Sequence, residues 1–394
     1  MYNLSSMSRQ GTVGLTLAIC ITLAAGCRKG VTINQQDLRN FDQINLVADK
    51  SIYDPTTTTD PTLKDAWGLA WSPTGIAWVN ATLDGVSELY TANGAIVRPP
   101  VNVPSPTDTV GGQPIGIVFN STKGFVLPDK AAASFIFDGG DGVISAWNGA
   151  AGNNAFRIAN NSATSAYTGL ALAASGGANY LYAADFRAGK IAVWDTTWKA
   201  VTWMPFRDPA IPAGYSPFNI QPVSSWLFVT YAKVGANGRQ ATGAGEGFVD
   251  VFNTDGSFVR RFASKGTLNA PWGVTITPAG FLQDRDMDTT GKGESESGGG
   301  SGNGSGMSSG GSGFSQSESA VLIGSFGDGR INVFSTSGQF LGQLQSHKQT
   351  IAITGLWALG FAPTTATTVD PDRLYFTAGP AMEADGIFGY LIKQ

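Results

Sequence analysis

Two cysteines and one histidine are all that 394 residues contain of those two types. A cysteine protease needs a thiolate beside an imidazole, and a structural zinc site needs several Cys or His ligands, so both classes are excluded. A Ser-His-Asp triad needs an imidazole oriented by a carboxylate. The single His347 stands instead in the polar stretch Gln345-Ser346-His347-Lys348-Gln349, which reads as a solvated turn. Charge is also scarce: Asp, Glu, Lys and Arg make up 14% of the chain, against about 25% in average proteins. The net charge of −4 comes with no basic block, which excludes a nucleic-acid surface. Helical periodicity is almost absent. The apolar run from Val13 to Ala25 is far shorter than the roughly 20 residues a spanning helix needs. Any catalysis by such a chain must use carboxylates, amides, Lys, Tyr or an oxygen-ligated metal.

What the chain has in excess is glycine, 52 residues, and the glycines recur in a pattern. A Gly-apolar strand, a second strand, an acidic-Gly turn and a β-branched strand ending in an aromatic return six times. The copies start at Gly68, Gly116, Gly169, Asn219, Gly273 and Gly355. A period of about fifty residues predicts an all-β fold, a six-bladed β-propeller of four-stranded antiparallel blades. Five turns carry an acid before glycine, at Asp84, Asp141, Glu246, Asp328 and Asp385. The spacing assigns them to hairpins, because glycine supplies positive φ and Asp bonds its own backbone. Matched residues on the third strands (Ile144 with Trp147, Ile191 with Trp194, Val249 with Phe252, Ile331 with Phe334, Ile387 with Tyr390) predict a wedge of core between neighbouring sheets. The sixth copy is one strand short. Residues 44–49 (Ile44 to Asp49) are expected to complete it by pairing with the strand near Ile387, which closes the ring.

The N-terminus carries a separate signal. Leu23-Ala24-Ala25-Gly26-Cys27 follows the apolar run and resembles the lipobox of bacterial lipoproteins. It predicts a signal peptide over 1–26, lipidation of Cys27, a tether over 27–43 and a propeller body over 44–394. The expected partner is then a membrane, reached through the lipid on Cys27, with the protein in the bacterial cell envelope at the outer membrane. Cys20 leaves with the signal peptide, so no disulfide is expected. Within the fifth copy, residues 283–318 are Gly/Ser-rich and read as a flexible insertion. Asp284, Asp286 and Asp288 alternate there as in a calcium loop, but the loop's glycine and bidentate Glu are missing.

A propeller's innermost strands line a channel, and the residues just before the repeat glycines should form a ring at one mouth. These are Trp67, Ile115, Thr168, Phe218, Trp272 and Thr354, with Trp357 nearby and Asn219 in the glycine column. Asp185, at a second-strand end where other copies have Asn80 and Phe326, is expected to face the same mouth. The aromatics either plug the channel or line a binding mouth. Trp67, Phe218, Asn219, Trp272, Trp357 and Asp185 are accordingly the candidate ligand-binding residues. No metal set is assembled from them.

The segments DAWGLAWSP, DGVISAWN, LYAADFRAGKIAVWD, GEGFVDVFNTDG, FGDGRINVF and TGLWALGF together resemble an uncharacterised bacterial family of secreted six-bladed propellers. That family is distantly similar to NHL-repeat and gluconolactonase-like proteins. The resemblance implies fold and export. Related lactonases hold a divalent metal at the channel mouth with a carboxylate and amides, for which Asn219, Asn120 and Asp185 are the matching types here. The leading expectation is a lipid-anchored, non-catalytic, monomeric scaffold that binds an envelope protein, a carbohydrate or a small molecule, without a cofactor. The alternative is a metal-dependent lactonase or other hydrolase using Ca. A purely structural envelope protein is the third reading, and it expects no concave polar pocket.

Overall fold

The structure, a computed structural model, describes residues 33–283 and 319–394. The signal-peptide motif with Cys27, and the Gly/Ser insertion beyond Gln283, lie outside the described residues. Strands dominate the rest. The only α-helical piece among the described residues is the four-residue Pro380–Glu383.

The strands form six antiparallel blades. In the first five, each successive strand lies one place further from the axis, except for the short Gln240–Ala241 strand of blade four, which pairs back onto Trp226–Val234. Blade one, for example, runs outward through Ala66–Trp71, Ile76–Ala81, Val86–Thr91 and Val101–Asn102. The innermost strands of the other blades are Pro114–Phe119, Tyr167–Ser175, Tyr215–Val223, Pro271–Ile276 and Leu356–Gly360. Each contacts the next around the axis, and the last returns to the first, so the ring is closed.

Closure uses the N-terminal strand, as its pattern predicts. Phe41–Ala48 adds to the outside of blade six antiparallel to Ile387–Lys393, with Ile44 opposite Tyr390 and Ala48 opposite Ile387. The strand begins at Phe41 rather than residue 44. Leu38 and Phe41 are fully buried, so the described part of the segment read as a tether is packed into the body. The seam is pinned at its end by Asp385, which binds Lys50 Nζ at 2.5 Å and Tyr53 Oη at 2.6 Å. Gly386 N donates to Asp49 Oδ1 at 3.0 Å beside it.

The third-strand aromatics fill the wedges between sheets. Trp147, Trp194, Phe252 and Phe334 are buried, and Tyr390 is half-buried beneath the Arg373 guanidinium, 4.3 Å from its ring centroid. Ring stacking crosses blade boundaries, as between Trp78 and Phe135 with centroids 4.0 Å apart. The acidic-Gly turns divide into two groups. Asp141 and Asp328 accept backbone N–H bonds from Val143 and Arg330, as Asp in a tight turn does. Asp84, Glu246 and Asp385 instead pair with Lys64, Lys233 and Lys50.

Every innermost strand carries a β-bulge near its start. A bulge adds one residue, bends the strand and increases its twist. Just after the bulged residue in blades one, two, three and five, the neighbouring blade comes so close that a side chain has no room. A Cβ built on Gly68 would lie 2.1 Å from the Ile115 carbonyl oxygen. The repeat glycine thus records a close backbone approach between blades.

Gly68→Ala should therefore lower unfolding stability by about 1–3 kcal/mol or more, since only backbone can yield. Gly149→Ala, where the same atom meets nothing within 4 Å, should shift stability by no more than about 0.5 kcal/mol. Chemical denaturation of the two variants beside the parent protein checks the contrast, and equal effects would refute the assignment.

Candidate functional site

The bulges bring one residue per blade to the axis, and the phase of the sixth copy differs from the sequence reading. Its bulge lies between Leu356 and Leu359, which places Trp357 in the ring and Ala358 in the glycine column. Thr354, expected in the ring, is exposed in the preceding turn, where Gly355 has φ +72°. Gly355, the one glycine in this turn, mimics the repeat glycine while the column position itself holds Ala358, so strand pairing decides the phase.

The ring side chains pack on one another. Trp357 is sandwiched between Trp67, centroids 3.5 Å apart, and Phe326 at 4.0 Å. Trp272 meets both indoles edge-on at 6.3 and 6.2 Å, and Phe218 meets Trp357 edge-on at 6.0 Å. None of Trp67, Phe218, Trp272 and Trp357 is more than 3% exposed. They form a plug, of which only Trp67 also lines an open cavity. Two of the indoles are also pinned by their N–H groups. Trp272 Nε1 donates to Thr168 O at 2.6 Å, and Trp357 Nε1 donates to Asp65 Oδ1 at 3.2 Å.

A bulge leaves backbone groups unpaired, and buried ones must find partners. The second strands of blades one, two and six provide some. Asn80 Nδ2 donates to Ile115 O at 3.0 Å in the next blade. Asp138 accepts from Gly116 N at 2.6 Å and, across the next boundary, from Gly169 N at 3.1 Å. Thr377 Oγ1 accepts from Ala358 N at 3.0 Å and donates to Trp67 O, joining blade six to blade one. Asn219 belongs to the same set. Its Nδ2 donates to Trp272 O at 2.8 Å, and its Oδ1 accepts from Ile220 N at 2.8 Å.

Asp185 is one position out of phase with Asn80. It stands opposite Tyr167, as Ala81 stands opposite Ala66, and Asp138 and Thr377 are the residues that share the Asn80 position. Asp185 Oδ1 accepts from Ala166 N at 3.2 Å and Ala188 N at 3.0 Å, so it caps a turn. Asn120 donates to Ala133 O at 2.9 Å. Asn219, Asn120 and Asp185 are thus bound to backbone in three different blades and do not fit a shared metal. No group of three or more Cys, His, Asp or Glu suited to a metal occurs among the described residues.

A cavity of about 490 Å³ opens at the plug, and it is the concave polar pocket that a purely structural protein would lack. Of the six candidate ligand-binding residues only Trp67 lines it. Its floor is Trp67, Ile115 and Phe186, and its ionisable groups are Asp65, Arg187, Arg239 and Glu383. The last four carry no repeat signature. Asp65 immediately precedes the first ring strand, and the others stand on hairpin turns from blades three, four and six. The sole cue in the chain is the placement of Asp65 two residues before Trp67.

Asp65 is 2% exposed. Burial, then the Glu383 carboxylate, push its pKa up to about 8, against the opposing pull of its bond to Trp357 and of Arg239. Glu383 pairs with Arg239 and accepts from Gln240 Nε2 at 3.2 Å. Both partners stand on a hairpin in which Lys233 and Val234 pair with Ala241 and Gln240. The hairpin of blade four thereby reaches past blade five to blade six. The backbone it holds is unusual: Ala381, Met382 and Glu383 have φ of 54°, 57° and 68°. Three successive non-glycine residues in the left-handed region cost about 1–2 kcal/mol each. Such strain collects at ligand clamps and active sites.

No protein-family model matches the chain. It is 29% identical over 352 residues to uncharacterized protein R648 of Acanthamoeba polyphaga mimivirus, covering 85% of this chain and 76% of that protein. Uncharacterized protein L690 of the same virus is 32% identical over 243 residues, and the match spans only 52% of L690 and 58% of this chain. These relatives are viral and lend no support to a bacterial family. Among solved structures, streptogramin B lyase is 12% identical with a TM-score of 0.46, over 89% of this chain and 97% of that one. The WD40 propeller domain of Doa1 is 9% identical with a TM-score of 0.41, over 82% and 77%.

The buried acids give a pH dependence whose sign can be worked out. Burial raises Asp65 to about 8, and raises Glu88 and Asp138 to about 7. Each holds a proton in the folded state that the unfolded chain releases near pH 4, so its contribution is complete below that and is lost as pH rises through the folded value. Asp65→Asn keeps an acceptor for Trp357 but cannot ionise. Between about pH 4 and about pH 8 the parent protein should lose more thermal stability than this variant. Parallel slopes in a melting series would show that Asp65 does not titrate in this way.

Proposed function

We propose that the protein is a ligand-binding propeller whose site is the mouth cavity above the aromatic plug, and that Cys27 carries a lipid holding it at a cell envelope. One observation carries the first part. A 490 Å³ concavity with an apolar floor gathers four ionisable side chains from blades one, three, four and six, as ligand pockets on rigid scaffolds do. A strained turn and a charged hairpin meet over it, an arrangement that packing of the blades does not need. The lipobox-like Leu23–Cys27 supports the second part, with the membrane as partner and an outer-membrane site in a bacterial host.

A hydrolytic reading of the same mouth draws on the buried Asp65 beside Glu383. Divalent-metal chemistry of the lactonase kind would have to recruit that pair, since Asn219 and Asp185 are engaged elsewhere.

Gln113, exposed on the cavity rim, offers a test. Native mass spectrometry of the gently purified full chain should show a co-purifying small molecule, absent from Gln113→Trp and retained by Lys348→Trp on a remote exposed hairpin. Retention by the mouth-filled variant, or no ligand in any of the three, would refute the mouth as the site. For the anchor, metabolic labelling with an alkyne fatty acid in a bacterial host should mark the parent protein and leave Cys27→Ala unlabelled. An unmodified parent protein would remove the envelope reading.

A further inference from the structure

We propose that the ligand of the mouth cavity is a small organic monocarboxylate, its carboxylate held by Arg187 and Arg239 and its apolar body seated on Trp67, Ile115 and Phe186. This inference rests on the reading of the mouth as the binding site.

The main carboxylate and carbonyl acceptors of the cavity are already engaged, and the charged groups that keep free capacity are donors. The Glu383 carboxylate is taken up by Arg239 and Gln240. The Asn237 side-chain oxygen accepts from Arg239 N at 3.0 Å. The Thr168 carbonyl accepts the Trp272 indole N–H. The hydroxyls of Thr82 and Thr168 donate to the carbonyls of Pro114 and Ala184, at 2.8 and 3.4 Å, and keep only acceptor capacity.

Donors are left over. Arg187 gives one N–H to Ser162 O at 3.0 Å and is otherwise exposed, and a guanidinium has five N–H donors. Arg239 is half exposed and engages Glu383 through one nitrogen. Trp67 Nε1 is buried with no partner. A ligand rich in acceptors satisfies this set, and a ligand rich in donors does not.

Charge leads to the same class. The cavity holds two arginines, Arg187 and Arg239, against the single carboxylate of Glu383, and Asp65 keeps its proton at neutral pH because of burial and of Glu383 itself. The cavity thus holds one net positive charge, the complement of a monoanion. A guanidinium meets a carboxylate through two parallel N–H bonds. A dianionic phosphate would exceed the positive charge and would leave the three-residue apolar floor uncovered. A cationic amine would add like charge to two arginines.

Isothermal titration of the full chain distinguishes these cases. The probes are monocarboxylates graded from acetate to naphthylacetate, the alcohol and the amine matched to each, and inorganic phosphate. The expected result is binding of the carboxylates alone, tightening as the body grows to cover the floor. Arg187→Ala, a substitution at an exposed side chain, should weaken binding by about tenfold or more, the loss of one charge-assisted pair. Affinity should also fall as pH passes about 8, where Asp65 ionises, and Asp65→Asn should remove that fall. Alcohols or amines that bound as tightly as their carboxylates would overturn the ligand class while leaving the mouth as the site. Phosphate binding more tightly than every carboxylate would replace the organic acid with an inorganic anion. Binding by no probe, or binding indifferent to Arg187→Ala, would refute the proposal, and the mouth would then stand or fall on the co-purification result.

Discussion

Six strands converge on one axis, and the closeness of their approach governs the rest of the molecule. Each innermost strand bulges where it meets its neighbour, and in blades one and five a carbonyl of the next blade lies against the repeat glycine, Ile115 against Gly68 and Trp357 against Gly273. That geometry is dry, and backbone groups freed by a bulge in a dry place must be bonded. Asn80, Asp138, Asn219 and Thr377 bond them, each reaching into the adjoining blade. The same crowding turns the bulge residues inward, where Trp67, Trp272 and Trp357 pack into a plug.

The plug determines what the mouth can be. An apolar, close-packed floor excludes water beneath Asp65, which is why that carboxyl keeps its proton to about pH 8. Above it, the Arg239 hairpin and the strained turn at 381–383 are joined through Glu383. An exposed ion pair is worth little by itself. Holding three residues in left-handed backbone therefore falls to the hydrogen bonds of the turn, such as Asp385 N to Pro380 O, together with the Gln240 contact. The mouth thus combines a rigid floor with a rim assembled from separate hairpins, which suits a scaffold that admits a ligand at one end.

Much of the fold was legible because each blade solves the same problem. Alternation, turn glycines and matched aromatics repeat every fifty residues or so, and the strand missing from the last copy pointed to the N-terminal segment that supplies it. The errors were errors of phase. Thr354 precedes a glycine as the ring residues of other copies do, whereas Trp357 precedes Ala358, and Asp185 sits one residue from the position that Asn80, Asp138 and Thr377 share. A one-residue shift reverses the face on which a strand residue lies, and only the pairing partner across the sheet resolves it. The charged rim left no such trace, because Arg187, Arg239 and Glu383 each occur once, in turns whose sequences do not repeat.

From its residues alone this chain determined a six-bladed ring, its closure by the N-terminal strand, its hairpins and its inter-blade aromatic core. Those features depend on local alternation and on turn chemistry, which act within a few residues. Only the tertiary structure decided that the ring aromatics seal the channel, that Asn219 clamps two blades, and that Asp65, Arg187, Arg239 and Glu383 share one cavity. These depend on distances across the axis between residues as far apart as 65 and 383. No local preference encodes such a distance, and closure of the ring sets it.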